Sequence, residues 1–74
     1  MQTTKTTTDN LFGENLKYYL EKENISQRKF AKLVGTTPAT VNRWITGKRQ
    51  PHLSKITKIA NVLDVTIEQL VSAF

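Results

Sequence analysis

From residue 11 to residue 23, apolar side chains return at helical spacing: Phe12, Leu16, Tyr19 and Leu20 fall on one stripe, with Lys17, Glu21 and Lys22 on the other side. This pattern predicts a first helix, capped by Asp9 or Asn10. Asn24, which tolerates the left-handed conformation, closes it, and Ile25 takes the staple position before the next cap. Ser26 caps a short second helix over residues 27–34, whose inward set is Phe30, Ala31, Leu33 and Val34. Gly35 supplies the positive φ that stops it. Thr37 then caps a third helix with Pro38 at its first position, where the missing N–H costs nothing. Val41, Trp44 and Ile45 point inward, and Gly47 ends the helix. Gly47-Lys48-Arg49-Gln50-Pro51 reads as a basic loop. A fourth helix follows over residues 53–63 with Ile56, Ile59, Ala60 and Leu63 inward, and Thr66 with Gln69 has the spacing of a capping box opening a fifth.

Val65-Thr66-Ile67 is too short for a strand and is flanked by helix signals, so the expected fold is all-α with five helices. At 74 residues there is chain for one core only. Residues 1–8, with five threonines and no large apolar group after Met1, are expected to form a flexible arm, leaving residues 9–74 as the domain. The sequence holds no cysteine and a single histidine, His52, so neither a disulfide nor a metal site is expected, and no cofactor is implied. No apolar run approaches the roughly 18–20 residues of a membrane span, and the amino terminus lacks the apolar stretch of a signal peptide. The expectation is a cytoplasmic protein.

Net charge is +5, and its distribution carries more information than its sum. Between Asn24 and Leu63 there is no Asp or Glu, whereas Arg28, Lys29, Lys32, Arg43, Lys48, Arg49, Lys55 and Lys58 all fall there. A stretch of forty residues so one-sided points to a polyanionic partner. Catalysis is not expected: there are no paired carboxylates, no nucleophile with a base, and no phosphate-cradling glycine loop. Trp44 stands at an inward helical position, which makes it core rather than a base-stacking platform.

Two short helices joined through a glycine-containing turn have the geometry of a helix-turn-helix, whose second helix enters the DNA major groove. Here the unit runs from Gln27 to Thr46, with Ala31 small where the helices cross, Gly35 in the turn, and Phe30, Val34, Val41 and Trp44 in the joint core. With Ile25-Ser26-Gln27 before it, and Gly47-Lys48-Arg49-Gln50-Pro51, Lys58-Ile59-Ala60 and Leu63-Asp64-Val65-Thr66 after it, the chain resembles the helix-turn-helix family of phage repressors, Cro proteins and Xre-type regulators over about residues 11–71. The resemblance implies a compact lambda-repressor-like domain that reads double-stranded operator DNA, usually as a homodimer on a palindromic site.

Since Val41, Trp44 and Ile45 turn inward, base contacts are expected from the opposite stripe of helix three: Ala39, Asn42, Arg43 and Thr46, with Thr40 beside it toward the amino end. Arg43 can donate two parallel hydrogen bonds to guanine, and the methyl groups of Ala39 and Thr40 can pack on thymine methyls. Pro38 has no donor and offers shape alone; many relatives carry a base-contacting glutamine there. Phosphate contacts are expected from Ser26 and Gln27 at the start of helix two and from Thr46, Lys48 and Arg49 after helix three. Resemblance assigns Gln27 that role. Lys29 and Lys32 add long-range attraction.

The expected function is sequence-specific transcriptional regulation in a bacterial cell or phage-infected host, by a small Cro-like protein. The alternative is an antirepressor or antitoxin-like module that binds a partner repressor protein through the same fold. Ile67, Leu70, Val71 and Phe74 are expected to form an apolar surface serving either a homodimer or such a partner.

Overall fold

The computed structural model describes residues 8–72, which form five α-helices: α1 (Thr8–Lys22), α2 (Gln27–Val34), α3 (Pro38–Ile45), α4 (Leu53–Leu63) and α5 (Ile67–Val71). Among the described residues there is no strand. The expected arm, apart from Thr8, lies outside them, as does Phe74.

The caps explain where the helices start and stop. The Lys29 N–H donates to Ser26 Oγ (3.0 Å) and the Thr40 N–H to Thr37 Oγ1 (3.2 Å). Thr66 and Gln69 close a reciprocal capping box, with both bonds present. Asn24 (φ 57°), Gly35 (φ 78°) and Gly47 (φ 80°) take the left-handed conformation expected of them. At Gly35 the chain turns sharply, and the Thr36 N–H is bound back to the Ala31 carbonyl at 2.8 Å, which fixes the short link between α2 and α3. Asp64 (φ 57°) closes α4 in the same way, although it carries a Cβ.

The α1 boundary differs from expectation. The helix begins at Thr8, so Asp9 and Asn10 lie inside it rather than at its cap. The physical reason is that either residue is tolerated in a first turn, where acids also suit the helix dipole.

Phe12, Leu16, Tyr19 and Leu20 of α1 meet Phe30, Ala31 and Val34 of α2, Val41 and Trp44 of α3, Ile59, Ala60 and Leu63 of α4, and Leu70 of α5 in one core. Ile45 and Ile56 pack on it half-buried. Leu33 does not join it: the side chain is 45% exposed, because the α2 stripe through Phe30, Ala31 and Val34 is already complete and position 33 falls on its shoulder. Leu70 departs from expectation in the opposite sense. It is fully buried in its own core, so it is unavailable to a partner, and among the described residues Ile67 and half-buried Val71 are what remains of that surface.

Two polar features lock the helices together. Asn15, buried on the inner stripe of α1, donates through Nδ2 to the carbonyls of Leu70 (2.8 Å), Ser72 (2.9 Å) and Gln69 (3.3 Å), holding the end of α5. Lys55 Nζ reaches back from α4 to the Val34 carbonyl at 3.0 Å and caps the end of α2. Gly13 lets α1 approach the end of α3 backbone to backbone.

Candidate nucleic-acid interface

Burial of Val41 and Trp44 sets the rotation of α3, and it follows that Pro38, Ala39, Asn42 and Arg43 stand exposed on the opposite side. These four residues come together on one solvent-exposed side of α3. Thr40 is different: it is half-buried on the flank of the helix, and its hydroxyl is bonded to that of Thr37 at 3.0 Å.

The helix-two side of the interface is built on the Ser26 cap. Gln27 is half-buried at the first position of α2, and the groove beside it is lined by Ser26, Arg28, Lys29 and Lys32 from α2 and by Thr36 and Pro38 at the start of α3. The amino ends of α2 and α3 therefore share one basic groove. No acidic residue occupies the first turn of either helix, which leaves the positive ends of both dipoles uncompensated by a side chain of their own.

The far side is fixed by a single carbonyl. The Arg43 C=O accepts from both the Lys48 N–H (2.9 Å) and the Arg49 N–H (3.2 Å), so the loop after Gly47 folds back against the helix and both side chains, exposed, start from an ordered backbone. Thr46 is exposed too, but its hydroxyl donates to the Asn42 carbonyl at 3.0 Å and its proton is spent within the helix. Of the residues expected at this end, Lys48 and Arg49 present exposed cationic side chains.

Sequence reasoning missed a second hollow, between the first turn of α3 and the start of α4, where Thr36, Thr40, Arg49, Gln50, His52 and Lys55 converge over the edge of Trp44. Its signal was faint, because Thr36, His52 and Lys55 come from a turn, a cap position and a separate helix. His52 sits at the N-cap of α4 and makes no side-chain capping bond. Asn15 and Gly13 carried a clearer signal: a polar side chain on an apolar stripe, and a glycine inside a helical pattern.

Among the described residues no three His, Cys, Asp or Glu side chains gather into a metal-binding group, and no helix is long and apolar enough to cross a membrane.

Comparison with known proteins agrees with this geometry. An uncharacterised HTH-type transcriptional regulator of Haemophilus influenzae is 39% identical over 59 residues, covering 80% of this chain and 24% of the relative. An SPbeta prophage-derived HTH-type transcriptional regulator of Bacillus subtilis is 33% identical over 60 residues, covering 81% of this chain and 56% of the relative. The chain thus spans about a quarter and about half of the length of these two relatives. Among solved structures, the SOS-response transcriptional repressor LexA from Eubacterium rectale superposes with a TM-score of 0.85 at 28% identity, over 95% of this chain and 74% of that one. The hydroxypropylphosphonic acid epoxidase of S. wedmorenis superposes with a TM-score of 0.84 at 32% identity, over 90% of this chain but 36% of the enzyme's. The helix-turn-helix family model matches residues 16–70, across the whole of α2 to α4, the second half of α1 and most of α5. With its two caps, its glycine turn and its exposed α3 stripe in place, the chain belongs to the helix-turn-helix family.

Proposed function

We propose that the chain is a sequence-specific transcriptional regulator of the phage repressor and Cro type, acting in the cytoplasm by laying α3 in the major groove of operator DNA. The observation that carries this reading is the exposed stripe Ala39, Asn42 and Arg43, flanked by the basic groove at the start of α2 on one side and by Lys48 and Arg49 on the other, with no carboxylate between Asn24 and Leu63. In this reading Arg43 and Asn42 address base edges, Ala39 packs on a thymine methyl, and Pro38 shapes the approach. Ser26, Gln27, Lys48 and Arg49 hold phosphates. The role is binding and not catalysis; the likeness to the epoxidase covers about a third of that enzyme.

Two copies are proposed to bind a palindrome, with half-site centres about 34 Å apart. Exposed Ile67 and half-buried Val71 favour an apolar contact through α5. The same surface supports the second reading, an antirepressor or antitoxin-like module whose partner is another regulator.

Selection of duplexes from a random pool, followed by binding of the winners across a salt series, tests the first reading. A preferred, two-fold symmetric sequence bound orders of magnitude tighter than scrambled DNA is the expected result. Equal binding to all duplexes, together with a monomer by ultracentrifugation with and without DNA, would favour the partner-protein reading instead.

A further inference from the structure

We propose that the first turn of α3 recognises the C5-methyl group of a pyrimidine, so that the chain accepts 5-methylcytosine in place of thymine and gains a binding site where a cytosine is methylated. The proposal rests on α3 being the groove helix, and it makes Pro38 and Ala39 the residues that set specificity at that base pair.

Pro38 and Ala39 are neighbours in the first turn, and both are exposed. Neither side chain holds a donor or an acceptor. The hydroxyls of Thr37 and Thr40 are engaged with one another at 3.0 Å, and Thr37 Oγ1 also accepts the Thr40 N–H at 3.2 Å. Thr40 is half-buried on the flank, which leaves the solvent side of this turn to a proline ring and a methyl group. Hydrogen-bonding side chains return one turn later, at exposed Asn42 and Arg43.

Such a surface is blind to most of what a major groove displays. Purine N7, guanine O6, adenine N6, cytosine N4 and thymine O4 are told apart by hydrogen bonds, and the C5-methyl of thymine is the apolar group among them. Its position fits as well as its chemistry. Pyrimidine C5 lies at the outer edge of the base pair, beside its own sugar-phosphate backbone, whereas O4 and N4 lie toward the middle of the groove. Pro38 is on the matching side of α3, since it lines the same basic groove as Ser26 and Lys29 at the amino end of α2. The purine group at that outer edge is N7, an acceptor that neither side chain can satisfy.

5-Methylcytosine carries the same methyl on the same carbon. It differs from thymine in the groove at position 4, where an amino donor replaces a carbonyl acceptor, and a turn without hydrogen-bonding side chains does not sense that exchange. Methylation leaves the pairing of cytosine with guanine intact and supplies the group that Pro38 and Ala39 cover.

The test uses the duplex that the native chain selects. Each thymine is replaced in turn by deoxyuridine, which removes the methyl alone. One thymine per half-site is expected to stand out with a loss of roughly fourfold, the value of one buried methyl, and at that position 5-methylcytosine should bind roughly fourfold more tightly than cytosine. In the double variant Pro38→Ala, Ala39→Gly both ratios should fall toward one, while affinity for the deoxyuridine duplex stays within about twofold of native. That duplex lacks the methyl, so it reports on folding and docking alone. Should the glycine weaken the helix, Pro38→Ala by itself carries the comparison, with a smaller fall in both ratios. Thymines that are all indifferent to loss of the methyl would overturn the proposal, as would methylation of cytosine that leaves binding unchanged or weakens it. Ratios that persist in the double variant would also overturn it and move the reading of the methyl to another residue. If the native chain selects no sequence at all, the α3 reading falls and this inference with it; a selected sequence in which no methyl matters sinks the inference alone.

Discussion

Gly13 in the middle of α1 lies against the carbonyl of Ile45 at the end of α3, so closely that a Cβ on residue 13 would overlap it. The Trp44 carbonyl would lie 2.6 Å from the same atom. The far wall of the contact is backbone, which has no rotamer by which to retreat.

That relationship reverses the sign that helix propensity alone assigns to Gly13→Ala. In an exposed helix the substitution gains about 1 kcal/mol. Here overpacking against α3 is expected to cost about 1–3 kcal/mol net, a fall in melting temperature of about 4–8 °C per kcal/mol. Because the strain falls on the end of the groove helix, DNA affinity should drop as well. Thermal melts followed by circular dichroism decide the sign.

Asn15 is expected to be sensitive in a different way. Asn15→Ala removes the donor that three carbonyls at the end of α5 share, at a cost of about 1–3 kcal/mol. Asn15→Asp, which turns an oxygen toward those carbonyls in place of the amide protons, should cost more than Ala. The amides of α5 should show the largest loss of hydrogen-exchange protection, since α5 is short and Asn15 holds its end.

Asp64→Gly is expected to stabilise the protein by about 0.5–1 kcal/mol. Asp64 pays the Cβ penalty of a left-handed residue and also sets a negative charge at the negative end of the α4 dipole. Asn24→Gly, relieved of the first cost only, should gain less. Denaturant midpoints at unchanged slope are the measurement.

Arg43 and Lys48 carry the same charge but are expected to fail differently. Arg43→Ala should cost about 1–3 kcal/mol on the selected duplex, relax preference at one base pair, and leave scrambled DNA nearly unaffected. Lys48→Ala should weaken binding to all sequences alike and reduce the salt slope by about one per subunit. Both side chains are exposed, so neither change should alter the melting temperature. Equal losses for Arg43→Ala on both duplexes would show that the base-reading face lies elsewhere.

The boundaries of α2 and α3 were legible in the sequence because local chemistry makes them: Ser26, Thr37 and Pro38 start helices, and Asn24, Gly35 and Gly47 stop the chain through positive φ, whatever surrounds them. The solvent stripe of α3 was legible for the same reason, since Val41 and Trp44 fix the rotation and everything opposite them is exposed. What the periodicity of one helix leaves open is decided by a neighbour. Leu33 and Leu70 carry equally apolar side chains, and only the packing of α2 against α3 and of α5 against α1 leaves the first exposed and buries the second. Gly13 reads as a weak spot in α1 until the end of α3 is set against it. Asn15 and Lys55 read as a polar defect and a surface charge until the carbonyls they hold, more than fifty and about twenty residues away in the chain, are brought within 3 Å. The hollow around Thr40 is likewise made by three separate segments, and no window along the sequence contains it. Caps and turns act within four residues and are written locally, whereas burial, helix-end capping across helices and donor convergence depend on where distant segments meet, and that is settled only in the folded chain.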